Sequence, residues 1–214
     1  MGYSREITAR RRFFGRMAAL AAFAGSGFST TIARAEAEAP GSDGPDWPGK
    51  LTGRHRQVTD VYEIDNGAPL GFAHNFLAPN TSATAVLIFR HRALPLAIGS
   101  AIWAKYKIGE TFKIIDPETK EPALKNPYFQ PKPGVLNNDE SAIDRLLGNG
   151  VVMGACNVAL HAQSKRLAPN AGVSADEAAK EWAANVIPGI TIIPSGVWGV
   201  NRAQEAGCTY CAGG

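Results

Sequence analysis

The 214-residue chain predicts an α/β domain on a mainly parallel sheet covered by helices on both sides. Three observations carry that expectation. Short β-branched apolar runs alternate with stretches of helical pattern, the rhythm of βαβ units. The clearest run, Thr84 to Arg90, is almost continuously apolar, as a strand covered on both faces is. Helix start signals, Asn138-Asp139 and Ser174 with Glu177, stand just ahead of helical stretches.

Asp60 to Asp65 is the first expected strand and Thr84 to Arg90 the second. Val151 to Cys156, Ile190 to Ile193 and a short edge strand over Cys208 to Ala212 complete the set. Helices are expected over Gly67–Leu77, Pro95–Tyr106, Glu140–Leu147, Val158–Leu167, Ala175–Val186 and Val197–Glu205. Pro95 suits a first helical turn, and its stretch is apolar on most sides, which predicts deep packing. Gly207 ends the last helix. Residues 109–137 break the rhythm, because Pro117, Pro122, Pro127, Pro131 and Pro133 exclude a long helix or a central strand. This segment is expected to be a surface insertion.

Ahead of the domain, Arg10-Arg11-Arg12-Phe13-Phe14-Gly15 resembles a twin-arginine export signal. The apolar run that follows, Met17 to Phe28, is about a dozen residues, below the roughly 20 a bilayer span needs. Ala33-Arg34-Ala35 offers a cleavage site. Residues 1–35 are therefore expected to be a signal peptide, 36–57 a disordered leader rich in Ala, Pro, Gly and Asp, and 58–214 the domain. The expected location is the periplasm.

Removing residues 1–35 takes away six arginines and one glutamate, so 22 basic and 19 acidic side chains become 16 and 18, a net charge of −2. That balance lacks the basic excess of a nucleic-acid binder. No later apolar run reaches membrane-spanning length. The three cysteines, Cys156, Cys208 and Cys211, are too few for a disulfide framework.

In an open α/β sheet, ligands bind outside the C-terminal ends of the strands. The second strand ends at Arg90-His91-Arg92, the third at Cys156-Asn157 and the fourth at Pro194-Ser195-Gly196. Cys156 is the first candidate nucleophile, since a thiol beside a helix start feels a favourable dipole; the alternative is a buried core cysteine. Ser195 is either a helix cap or part of an anion site, with Gly196 allowing close backbone approach. Arg90, Asn157 and Gly196 are the candidate anion-binding residues. His91 is a candidate general base, metal ligand or solvent-facing histidine. His55, His74 and His161 show no ligand spacing, and no metal is specified. Cys208-Thr-Tyr-Cys211 reads as a disulfide, a redox pair, or partial metal ligation with Cys156 or a histidine. Residues three apart on a strand face opposite ways, so a direct bridge would need a turn.

Two segments resemble the DsrE/DsrF-like family. They are Leu-Leu-Gly-Asn-Gly-Val-Val-Met-Gly-Ala-Cys-Asn-Val-Ala-Leu over 146–160, and Ile-Thr-Ile-Ile-Pro-Ser-Gly-Val from 190 onward, followed by Gln204, Gly207 and Tyr210. The resemblance spans roughly residues 58–214. It implies a flavodoxin-like three-layer α/β/α sandwich with a sheet of about five strands, assembly into homo-oligomers, and transfer of sulfur as a cysteine persulfide. Cys156 matches the sulfur-accepting cysteine, with Ser195, Arg90 and His91 placed to stabilise anionic sulfur. An export signal, a C-x-x-C and the proline-rich insertion depart from the cytoplasmic sulfur-relay members.

The resulting expectation is an exported sulfur-handling protein. Its partner would be a sulfur donor or acceptor protein or a small sulfur compound. It would need no cofactor, a metal ion being left open. Two alternatives are an oligomeric binding module for a small anion or metal, and a thiol–disulfide protein using Cys208 and Cys211.

Overall fold

The computed structural model describes residues 48–214. The expected signal peptide and the first part of the leader lie outside the described residues. Five strands, β1 (His55–Val61), β2 (Ala83–Phe89), β3 (Val152–Cys156), β4 (Ile190–Ile193) and β5 (Thr209–Gly213), form one sheet. Every neighbouring pair is parallel, in the order β4-β3-β2-β1-β5. With helices on both faces this is a flavodoxin-like three-layer α/β sandwich. The helices are α1 (Ala68–Leu77), α2 (Ile108–Phe112), α3 (Ile143–Gly148), α4 (Asn157–Ala171), α5 (Ala175–Ala184) and α6 (Gly196–Glu205). Among the described residues no helix is long and apolar enough to cross a membrane.

The two faces are covered unequally. On one, Ala85, Leu87, Phe89, Met153 and Ala155 enter a large core with Leu70 of α1, Leu146 of α3, Leu160 of α4 and Trp182 of α5. On the other, Val58, Val86, Ile88 and Ile193 meet Ala203 of α6, with Leu51 and Cys208 at the margin. Gly199 lets α6 lie this close, since a Cβ there would run into the Ile193 side chain.

Several expectations need correction. β1 starts at His55, five residues before the expected strand; its first three residues, His55-Arg56-Gln57, are not buried and give no apolar signal. The leader is ordered where it can be described: Leu51 is buried, and Arg56 donates to the Gly53 and Ala206 carbonyls at 2.6 and 2.8 Å.

Pro95–Tyr106 is not one helix. His91–Ala97 is a 3-10 stretch, Ile98 is extended, and Ser100–Ile102 forms a second 3-10 turn. The carbonyls that an α-helix would use internally accept from elsewhere. Asn126 Nδ2 donates to the Leu96 and Ile98 carbonyls at 3.1 and 3.0 Å, and Ile187 N donates to that of Ala97 at 2.9 Å. All-round apolar character reports burial there, not helical period.

The insertion is docked rather than superficial. Phe112, Ile114, Ala123 and Tyr128 join the large core, and Asn126 is buried. The helix expected at Glu140 begins at Ile143, after a 3-10 turn over Asp139–Ser141 that Asn138 caps. α4 runs past its expected end at Leu167 to Ala171, where Gly172 takes a left-handed φ of 66°.

Candidate functional site

The chain leaves β3 into α4 on the large-core face, and leaves β4 into α6 on the opposite face. Adjacent parallel strands whose connections depart to opposite sides open a crevice at their C-terminal ends. A cleft of about 390 Å³ occupies that position. Arg90, His91, Cys156, Ser195 and Gly196, which the sequence scatters over more than 100 positions, all line it. Asn157 begins α4 but is not among the lining residues.

Cys156 is the last residue of β3 and the N-cap of α4. Its Sγ accepts the Ala159 backbone N–H at 3.3 Å, and 5% of the residue is exposed. The sulfur thus does the work that Ser, Thr or Asp usually does at a helix start. The sulfur therefore sits at the N-terminal end of a 15-residue helix with a backbone N–H aimed at it.

Arg90 follows β2 and is held on several sides. Its Nε and Nη2 donate to Asp60 Oδ1 and Oδ2 at 2.6 and 2.8 Å, a bidentate pair with a buried carboxylate. The guanidinium lies 5.2 Å from the Tyr62 ring centroid. Tyr210 Oη donates to Asp60 Oδ2 at 3.2 Å. The Arg90 stem runs against the backbone of Gly196, where a Cβ would come within 2.6 Å of the Arg90 Cβ and Cδ. Hydrogen bonding to Asp60 is the main cause that raises the Arg90 pKa above its ordinary value, burial opposing it, and the charge of Cys156 adds a smaller push in the same direction. Burial first, then Asp60, raises the Tyr210 pKa as well.

His91 adopts a left-handed backbone, φ 50°, uncommon for a residue with a side chain. Its imidazole is well exposed, with Nδ1 3.7 Å from Glu63 Oε1. Gln163 Nε2 of α4 donates to the His91 carbonyl at 3.2 Å, tying the β2 end to α4 across the cleft. Ser195 is the N-cap of α6, its Oγ accepting the Trp198 N–H at 3.2 Å. Val158 and Val197, at the starts of α4 and α6, stand exposed on the cleft rim.

Of the readings open for Cys208 and Cys211, the disulfide is not formed; all three cysteines are free. Cys208 is buried in the α6-side cluster, and burial raises its thiol pKa. Cys211 lies in β5 opposite Thr59 of β1. Neither lines the cleft. Among the described residues no three of His, Cys, Asp and Glu converge as metal ligands would.

Asp60, Tyr210, Gln163 and the apolar wall of Val158, Ala162 and Val197 were not anticipated from sequence. Asp60 carried one signal, a lone acid in the strand Val58-Thr59-Asp60-Val61, where a buried carboxylate needs a cationic partner.

No known protein family and no curated protein matches the sequence. Among solved structures, a protein of unknown function from Methanobacterium thermoautotrophicum is similar at 16% identity and a TM-score of 0.43, covering 74% of this chain and 98% of its own.

Proposed function

We propose that this is a sulfur-handling protein in which Cys156 accepts a sulfane sulfur as a persulfide, working in the periplasm after export through its twin-arginine segment. The carrying observation is that, of three free thiols, Cys156 lines the strand-end cleft. The Ala159 N–H donates to its sulfur, and Arg90, held by Asp60, lines the same cleft. The resemblance of residues 146–160 and 190–210 to the DsrE/DsrF-like family points to the same residue.

In the reaction, the Cys156 thiolate attacks the outer sulfur of a donor R–S–SH. The donor S–S bond breaks, R–S⁻ leaves with the electron pair, and a Cys156 S–S bond forms. One S–S bond replaces another, so no external oxidant or reductant is needed.

Site-resolved mass spectrometry of the reduced protein after polysulfide exposure tests this. Cys156 is expected to gain the mass of sulfur. Gain on Cys208 or Cys211 with none on Cys156 would reject the assignment, and inertness of all three toward polysulfide and toward a neutral trisulfide alike would reject the carrier reading. A non-catalytic binding module is the competing reading, favoured by the low exposure of Cys156. In that case Cys156→Ser would leave the cellular role intact.

A further inference from the structure

Resting on the persulfide reading of Cys156, we propose that the cleft selects uncharged, apolar sulfane donors, organic polysulfanes as a class, over charged ones. The argument starts from the wall. Val158, Ala159, Ala162, Gly196 and Val197 make the surface that the cleft presents almost wholly apolar. Its volume of about 390 Å³ is within the range of small-molecule sites.

The charges beside it are already matched. Arg90 is bidentate on Asp60. Arg92 pairs with Glu63 at 3.1 Å, and the exposed His91 ring lies 3.7 Å from the same carboxylate, beyond hydrogen-bond distance. Most of the nearby polar side-chain atoms are engaged too; Gln163 Oε1, buried without a partner, is an acceptor and offers nothing to an anion. Cys156 Sγ accepts from Ala159 N, Ser195 Oγ accepts from Trp198 N, and Gln163 Nε2 donates to the His91 carbonyl. A charged donor entering the cleft would lose water and gain few new partners. An apolar donor would gain from burial alone.

The chemistry balances with a neutral trisulfide R–S–S–S–R. The Cys156 thiolate attacks the central sulfur. One S–S bond breaks, R–S⁻ leaves with the electron pair and takes a proton from water, and Cys156–S–S–S–R forms, holding the sulfane sulfur.

Two probes with the same reacting bond and different charge test selection. The full chain is treated with diallyl trisulfide or with glutathione trisulfide, and each rate of Cys156 modification is divided by that of free cysteine with the same reagent. The normalised rate is expected to be about tenfold higher for the diallyl donor, the effect of burying roughly two CH₂ groups. Ala162→Asp and Val197→Glu change exposed wall positions and are expected to bring the two normalised rates together, with the melting temperature unchanged. Equal normalised rates in the unaltered protein, or a preference for the glutathione donor, would overturn the selection while leaving the persulfide reading in place. Unaltered selection in both variants would also overturn it. If neither reagent modifies Cys156, both readings fall.

Discussion

Cys156 and the pair Cys208/Cys211 occupy opposite ends of one design question: what makes a thiol available for chemistry. The pair has the more conspicuous sequence spacing, yet the fold gives it no site. Cys208 is packed beside Val58 and Ala203 against α6, and burial holds its proton. Cys211 sits on the edge strand, pairing across to Thr59. Cys156 belongs to no cysteine-spacing motif, but it stands where β3 ends, α4 begins and the sheet opens. Position relative to the sheet, rather than spacing along the chain, separates the two.

The largest test of that contrast is sulfur uptake itself. Cys156→Ser should abolish it in the mass spectrum, whereas Cys208→Ser and Cys211→Ser should keep it within about twofold, since neither thiol lines the cleft. Comparable loss in either of the latter would erase the distinction.

Next in size is the support beneath the cleft. Asp60→Ala leaves the partly buried Arg90 without its bidentate partner, and chemical denaturation should show a loss of about 3 kcal/mol. Gly196→Ala forces a methyl into the Arg90 stem. It should cost about 1–3 kcal/mol and slow Cys156 modification, because Arg90 must move. Unchanged stability in both would mean that Arg90 is not held as described. Ser195→Ala, which removes the cap on Trp198 N, should cost about 1 kcal/mol.

The smallest effect concerns pH at the other thiol. The folded protein raises the Cys208 pKa by burial. The stability this contributes is fully present below the unfolded thiol pKa and is lost as pH rises through the raised native value. Alkylation of Cys208 in the native protein should therefore reach half its maximal rate at a higher pH than in the urea-unfolded chain. Coincident profiles would show that burial does not protect it.

Much of the architecture was legible because continuous apolar character survives in any context. Thr84–Arg90 and Ile190–Ile193 read directly as covered strands, and Ser174 with Glu177 forms the capping box its spacing predicts. Reading failed where burial and period part company. The stretch from Ala93 to Ile98 is fully buried, yet Asn126 and Ile187 take its carbonyls from distant parts of the chain. No local pattern announces such partners. Tyr128 fails the same way: the proline-rich segment reads as surface, but its ring packs on the left-handed Gly67. Burial pushes the Tyr128 phenol up to about 12.

Sequence alone determined the strand-end residues Arg90, His91, Cys156, Ser195 and Gly196, because strand boundaries and the rule for α/β sheets are local and topological. Tertiary structure decided which of them share a cleft, that Asp60 and Tyr210 secure Arg90, and that Cys208 and Cys211 stay apart. Those outcomes depend on strand order and on which face each helix covers. Both are set by packing between segments far apart in the chain, which no window of neighbouring residues encodes.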